Sequence, residues 1–206
     1  MANLILKPGR EKSLLRRHPW VFSGAVDRVD GKLGAGETLA VRSNQGAFLG
    51  WAAYSPASQI VARVWEFAES TRIDHDFFRA RLQRAIETRN AVLGATAQQA
   101  LRLVHGESDG LPGVVVDRYA DMLVLQLTSA GAYRWRDMLL ELLPELTGAR
   151  VVFERSDAEV LALEGLEPTV GLRRGSLPPG PVAFEENGLT FQVDFQHGHK
   201  TGFYLD

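Results

Sequence analysis

Residues 1–67 are dominated by four short apolar segments that alternate with turn residues, and this spacing restricts the fold more than any other feature of the chain. The segments are rich in β-branched and aromatic residues and are separated by Gly, Asn, Ser and Pro; they read WVFSGAV, ETLAVRS, GAFLGWAAY and QIVARVWEF. Such segments are typical of β-strands. They predict a small β-barrel or sandwich. The stretch GREKSLLRRH predicts one or two helical turns that end before Pro19.

Residues 74–93 form the clearest helical pattern in the chain. Phe78, Leu82 and Ile86 recur with a period near 3.6 residues, and Asp74 or Asp76 can cap the first turn. We interpret this helix as the connector between two modules.

The pattern of residues 101–185 predicts a second module that contains both strands and helices. The predicted strands are LRLVHG, VVVDRY, MLVLQLTS and RVVFER, and the predicted helices are AYRWRDMLLELL, ended by Pro144, and DAEVLALEG. The stretch GLRRGSLPPGP is interpreted as a linker. After it, VAFEENGLTFQVDF predicts a hairpin that turns at Asn187-Gly188. The fold class that follows is α+β.

The composition excludes several kinds of chemistry. The 206 residues contain no cysteine, so disulfides, thiolate metal sites and a cysteine nucleophile are excluded within them. This absence is consistent with a cytoplasmic protein. The first residues lack the pattern of a secretory signal, and no apolar run approaches the ~20 residues that span a bilayer. The formal net charge of −2 gives no indication of nucleic-acid binding.

The distribution of charge is more informative than its sum. Residues 1–70 carry 9 Lys and Arg against 6 Asp and Glu, whereas residues 71–206 carry 14 against 19. The cations cluster near the start, at Lys7, Arg10, Lys12, Arg16 and Arg17. Such a cluster can neutralise phosphates, but it can also be an ordinary solvated surface.

Three tryptophans of the first module could stack on bases or fill its core. They are Trp20, Trp51 and Trp65. Trp20 follows Pro19 and the arginines, so we expect it to be partly exposed.

Two short motifs have both a chemical and a structural interpretation. GESDG has the spacing of a nucleophile elbow around Ser108, and Asp157 and His197 follow in the order of a hydrolase triad. The elbow requires a helix directly after the serine, whereas the Asp-Gly and Pro-Gly pairs here favour a hairpin loop. HGH places His197 and His199 at i and i+2, as two metal ligands or as a polar loop.

The chain resembles the ribosomal RNA large-subunit methyltransferase I family over essentially all its residues. The matching stretches are GREKSLLRRHPWVFSGAV, AAYSPASQIVARVW, GESDGLPGVVVDRY, LVLQLTSAGA, ERSD and VDFQHGHKTGFYLD. That family consists of bacterial S-adenosylmethionine-dependent enzymes that methylate C5 of a cytosine in 23S rRNA. The resemblance implies an RNA-binding PUA-like β-barrel module, a small central α+β domain and a Rossmann-like methyltransferase domain.

The resemblance implies the following division: residues 1–70 for the PUA-like module, 71–100 for the connector helix, 101–180 for the central domain and 181–206 for a hairpin leading into the methyltransferase domain. It implies that the candidate RNA-binding residues are Lys7, Arg10, Lys12, Arg16, Arg17, His18 and Trp20. It also implies that Gln196, His197, His199, Lys200, Thr201 and Tyr204 belong to a loop beside the cofactor and substrate pocket, or dock that loop structurally.

The departures from the family pattern are in the catalytic parts. The glycine-rich cofactor loop, the acidic residue for the ribose, the Asp-Pro-Pro motif and the catalytic cysteine are absent from these 206 residues. Since C5 methylation of cytosine uses a thiolate that adds to C6, we expect no catalytic residue in this chain and no activity from it alone. We expect the chain to stop where the methyltransferase domain begins.

The sequence thus predicts the RNA-recognising portion of an S-adenosylmethionine-dependent 23S rRNA methyltransferase. The alternative is a free-standing PUA-type RNA-binding protein without enzymatic activity. The expected partner is 23S rRNA, with no metal and no membrane. Edge strands could pair between two chains, so a homodimer is a candidate assembly.

Overall fold

The computed structural model describes residues 2–93, 100–156, 158–186, 188–198 and 205, which form a mixed α/β structure. A six-stranded sheet, a five-stranded sheet and a two-stranded hairpin follow one another along the chain. No helix in the described ranges is both long enough and apolar enough to cross a membrane.

The first module is a curled six-stranded sheet with the order β2-β6-β5-β4-β1-β3. Its elements are β1 Asn3–Leu6, α1 Lys12–Leu15, β2 Trp20–Phe22, β3 Val26–Asp30, β4 Thr38–Arg42, β5 Phe48–Tyr54 and β6 Ile60–Glu66. The register shifts between several pairs of strands, as at Val41/Arg42 and Trp51/Ala52, and such bulges increase the bend of a sheet. The predicted β-rich module is therefore confirmed.

The sequence analysis missed two strands of this module. One is β3, of which the predicted segment WVFSGAV contains only Val26, and the other is β1. Strand β1 pairs in parallel with β4 and antiparallel with β3, and it buries Leu4 and Leu6 in the core. The segment has only four residues and ends at Lys7-Pro8, so its strand pattern is too short to be recognised.

Helix α2, His75–Leu93, is the helix that the periodicity predicts. The Asp74 carboxylate accepts a hydrogen bond from the Phe77 backbone N–H at 3.2 Å, which caps the first turn. Its buried face, with Phe78 and Leu82, packs in the core of the second sheet.

The second sheet has the order β11-β10-β9-β8-β7, and only its β9–β10 pair is parallel. The remaining elements are β7 Ala100–His105, β8 Val114–Tyr119, β9 Met122–Leu127, α3 Ala130–Arg134, α4 Arg136–Thr147, β10 Val151–Ser156, α5 Ala158–Leu163, β11 Thr169–Arg174, β12 Val182–Glu186 and β13 Leu189–Val193. The predicted strands and short helix of this region are confirmed. The predicted hairpin is confirmed by the pairing of β12 with β13, whereas Asn187 of its predicted turn lies outside the described residues.

Three predictions in this region are wrong. The single helix predicted over AYRWRDMLLELL is two helices, α3 and α4, which meet at Trp135. Pro144 lies inside α4, which continues to Thr147 and ends at Gly148, whose N–H donates to the Pro144 carbonyl at 2.9 Å. Proline removes only one donor from a helix, and here its ring is buried, so packing outweighs the lost bond. The segment GLRR belongs to β11 instead of a linker, since β10 provides an antiparallel partner that sequence alone does not reveal.

The two modules share a core. Ala53 and Trp65 of the first sheet are buried in the apolar cluster of the second module, and Trp65 packs edge to face on Phe78 at 5.2 Å. A Cβ at Gly131 would lie 2.3 Å from the Ala53 Cβ, so the approach of α3 to β5 requires glycine at this position.

The hairpin β12–β13 covers the other face of the second sheet. Phe184 and Phe195 are buried there, and Phe195 meets Phe153 edge to face at 5.1 Å. Phe195, which follows β13, therefore packs against the sheet.

Candidate nucleic-acid interface

The predicted RNA-binding cations lie together on the connection from β1 through α1 to β2. Leu14 is 3% exposed and anchors α1 in the core. Around it, the following side chains are all exposed: Lys7, Arg10, Lys12, Arg16, Arg17 and His18. We call these six residues the basic cluster.

The cations of the basic cluster differ from most other arginines of the chain in lacking carboxylate partners. Elsewhere, ion pairs of 2.6–2.8 Å join Arg63 to Glu164, Arg79 to Glu145, Arg81 to Glu66 and Arg102 to Asp117. Within the described part of the chain, none of the lysines and arginines of the basic cluster forms an ion pair. Their positive charge is therefore available to an external anion.

Two cations of the cluster are held in position by other contacts. The Lys7 ammonium donates to the Gly24 carbonyl at 3.2 Å. Arg17 has a φ of 63°, and its guanidinium carbon lies 4.9 Å from the centre of the Phe67 ring. A side chain in the left-handed region is sterically unfavourable, so this position would normally be occupied by glycine at the end of a helix.

Trp20 is partly exposed, as expected, but its indole N–H is already engaged. It donates to the Glu107 carboxylate of the second module at 2.7 Å. The ring meets His18 and Phe22 edge to face, at 5.6 and 6.3 Å. Trp20 therefore links the basic cluster to the GESDG loop.

Of the other two tryptophans, only Trp65 follows the structural interpretation. Trp65 is 2% exposed and belongs to the shared core. Trp51 is half-buried and donates to the Glu69 carbonyl at 3.2 Å.

The GESDG loop is a 3-10 turn, Gly106–Asp109, followed by strand β8, and no helix follows Ser108. Asp109 accepts hydrogen bonds from both terminal nitrogens of Arg89 on α2 and from the His105 backbone N–H. Gly110 ends the turn with a φ of 67°. The loop thus has the hairpin form that its turn residues predict, and Asp157 lies outside the described residues.

The segment after β13 contains the described part of the second predicted site. Gln196 and His197 are exposed, and their backbone N–H groups donate to the Asp194 carboxylate at 3.0 and 2.9 Å. The bond from the His197 N–H holds the pKa of Asp194 below its ordinary value. His197 lies in this turn, beyond the end of β13 at Val193. The other predicted loop residues, His199, Lys200, Thr201 and Tyr204, lie outside the described residues.

Asp194 was missed by the sequence analysis although it organises this turn. The carboxylate also accepts from the His197 Nδ1 at 3.2 Å. An aspartate two residues before a Gln-His-Gly sequence is a recognisable Asx-turn signal.

The residues in the described ranges do not by themselves fit S-adenosylmethionine. A cofactor of this type is held where a glycine-rich strand-to-helix turn lets it approach the backbone. At the β9–α3 turn the backbone is covered by the β7–β8 loop. A Cβ on Gly113 of that loop would lie 2.2 Å from the hydroxyl of Ser129 in the turn. Across the described ranges, no group of three or more His, Asp or Glu side chains could hold a metal ion.

A cleft of about 330 Å³ lies where the two modules meet and is continuous with the basic cluster through Arg17. Its walls come from β6 and Phe67 on one side and from Glu107, Ser108 and Gly110 on the other. Two larger cavities, of about 620 and 570 Å³, lie away from the cluster. One lies under the 175–183 segment and the other is lined by Lys32 and Trp135.

Comparison with known proteins agrees with the two-module structure. Residues 4–67 match the family model of the PUA-like domain. Among solved structures, a putative SAM-dependent methyltransferase from Streptococcus mutans superposes with a TM-score of 0.80 at 20% identity, over 100% of this chain and 52% of that chain. A putative methyltransferase complexed with SAH gives a TM-score of 0.76 at 19% identity, over 94% of this chain and 48% of that one. These likenesses concern the fold.

Sequence relatives are much closer. Proteins named ribosomal RNA large subunit methyltransferase I from Shigella boydii and Escherichia coli are each 52% identical to this chain over 205 residues. The match covers 100% of this chain and 52% of each relative. The chain is therefore similar, over its whole length, to ribosomal RNA large subunit methyltransferases I, and it spans about half the length of the curated relatives it matches.

Proposed function

We propose that this chain is the RNA-recognising portion of an S-adenosylmethionine-dependent 23S rRNA (cytosine-C5) methyltransferase. In this proposal residues 1–70 grip the rRNA. The connector of residues 71–100, which contains α2, and the central domain of residues 101–180 form a docking platform, and residues 181–206 lead toward the methyltransferase domain. The relatives' name supports the substrate class.

The observation that carries the proposal is the basic cluster. Exposed cations without carboxylate partners retain their full charge for phosphate. Each phosphate that they neutralise releases condensed counterions from the RNA, and this release favours binding. The cluster lies on the module that matches the PUA-like domain, residues 4–67.

The test is binding of the purified chain to a protein-free 23S rRNA fragment, followed by fluorescence anisotropy. Lys12→Ala/Arg16→Ala removes two exposed cations of the cluster, and we expect it to weaken binding at least tenfold. The matched control is Lys32→Ala/Arg174→Ala, which removes the same charge at exposed positions outside the cluster and is expected to bind like the wild type. Equal affinities for the two double variants would contradict the proposal.

We further propose that these 206 residues do not transfer methyl groups alone. They contain no cysteine to add to C6 of cytosine. Radiolabelled S-adenosylmethionine should leave no label on 23S rRNA in the presence of this chain, whereas incorporation above background would refute the statement.

A further inference from the structure

The cleft between the modules is lined, besides Arg17, by residues that the RNA-binding proposal, based on the basic cluster, does not use. Arg17 and Phe67 of the first module and Arg81 of the connector helix face Glu107 and Ser108 of the GESDG loop across it. The cleft therefore combines cations, an aromatic ring and hydrogen-bonding groups from two modules, at one end of the basic cluster.

The two cations of the cleft have different functions. Arg81 donates to Glu66 at 2.6 Å and lies 5.1 Å from the centre of the Phe77 ring, so its charge is already paired. Arg17 is stacked on Phe67, and within the described ranges its guanidinium donates no hydrogen bond. Arg17 is thus both positioned and free to bind an anion.

The backbone at Arg17 supports this assignment. Arg17 and Ala120 are the two non-glycine residues with positive φ in the described ranges. Glycine would satisfy the end of α1 without strain, so the arginine is held in this conformation by its surroundings, among them the Phe67 ring under its guanidinium.

The opposite wall is held rigidly. Glu107 binds the Trp20 indole across the modules, and Asp109 is tied to Arg89 on α2. A Cβ on Gly110 would lie 2.5 Å from the Arg81 Nη1, so the loop contacts the guanidinium of Arg81 as closely as glycine allows. Ser108 is exposed at this wall.

We propose that the cleft binds one unstacked nucleotide of single-stranded rRNA, with its phosphate on Arg17 and its base between Phe67 and the GESDG loop. A cavity of about 330 Å³ accommodates a single nucleotide and not a duplex. Unstacked bases are the usual targets of RNA recognition because they expose their faces and edges. The inference rests on the proposed RNA binding and extends the contact surface to the central domain.

Ser108→Gln tests the proposal, because a longer neutral side chain fills the cleft without altering the charge. The control is Ser176→Gln, an exposed serine of the 175–181 segment away from the cleft. With a single-stranded 23S rRNA fragment we expect Ser108→Gln to weaken binding about tenfold, as when a base loses its stacking contact. Ser176→Gln should bind like the wild type, and a duplex of the same sequence should not distinguish the two variants.

The outcomes separate this inference from the proposed function. If Lys12→Ala/Arg16→Ala weakens binding and Ser108→Gln does not, RNA binding stands and the cleft proposal is overturned. If neither changes binding, both are overturned. Photocrosslinking of wild-type protein to a 4-thiouridine-substituted fragment gives a test that is independent of variant folding. Adducts on Phe67 or residues 107–112 are expected, and adducts confined to residues 7–18 would refute the cleft.

Discussion

At the scale of single residues, Arg17 shows how side-chain chemistry can override backbone preference. Its φ of 63° lies where a Cβ is unfavourable by about 1–2 kcal/mol. The sequence alone gave no indication of this conformation, because it predicted only that the helical turns end before Pro19. The strain became visible only in the structure.

Arg17→Gly separates stability from binding at this position. Glycine relieves the strain, but it also increases the conformational entropy of the unfolded chain, which destabilises the folded state by about 0.4–1 kcal/mol. We expect the free energy of unfolding, measured with urea, to change by less than about 1 kcal/mol. Affinity for the single-stranded 23S rRNA fragment should fall about three- to tenfold, for the loss of one charged contact. Unchanged affinity in a stable variant would show that the Arg17 side chain takes no part in binding.

At the scale of elements, the β7–β8 hairpin loop shows which features of the GESDGLPG stretch follow from local turn chemistry and which depend on packing. Gly113 has a φ of 80° and lies against Ser129, whose hydroxyl caps α3 by accepting from the Ala132 N–H at 3.2 Å. The turn chemistry of GESDGLPG predicted the hairpin from local rules. The close contact with α3 could not be predicted, because it depends on how distant segments pack.

Gly113→Ala should therefore be much more harmful than an alanine at an open glycine. The new Cβ would meet the Ser129 hydroxyl at 2.2 Å, and the backbone would be strained as well. We expect a loss of about 3 kcal/mol in the free energy of unfolding. Gly46→Ala is the control, because Gly46 has a φ of 86° and nothing lies within 4 Å of its added Cβ. The free energy of unfolding of Gly46→Ala should fall by about 1 kcal/mol. Similar decreases in the two variants would contradict the packing of Gly113 against Ser129.

At the scale of the whole molecule, a buried ion pair joins the modules. Glu164 is 2% exposed, pairs with Arg63 at 2.8 Å and accepts from the Ala130 backbone N–H at 3.0 Å. Burial favours the neutral acid, but the Ala130 hydrogen bond and the Arg63 charge together lower the pKa of Glu164 below its ordinary value of 4.5. This carboxylate therefore stabilises the folded state above about pH 4.5, and the contribution is lost as the pH falls through the lowered pKa.

Glu164→Gln should remove this pH dependence and leave Arg63 buried without its partner. We expect the variant to be about 3 kcal/mol less stable at pH 7. The difference in free energy of unfolding between wild type and variant should shrink as the pH is lowered from 5 to 3. A difference that stays constant over this range would contradict the assigned pKa shift.

The sequence predicted most helices and strands of this molecule but not the contacts between its two modules. Periodicity identified α2, and turn residues identified the hairpins, because both signals are local. Strand β11 and the proline inside α4 were mispredicted, since a partner strand and a buried ring decide those segments. For the candidate interface, charge clustering indicated the cations directly. The pairing of Trp20 with Glu107, 87 residues apart, has no local signal.

The salt dependence of RNA binding tests the central claim most directly, because it counts the phosphates that the basic cluster neutralises. The affinity of wild type, Lys12→Ala/Arg16→Ala and Lys32→Ala/Arg174→Ala for the 23S rRNA fragment is measured between 50 and 300 mM salt, over which the Debye length falls by a factor of about 2.4. Each phosphate contact contributes about 0.7 to the slope of log affinity against log salt. The account predicts that the cluster variant loses about 1.4 from the slope while the control keeps the wild-type slope; equal slopes for all three proteins would contradict it.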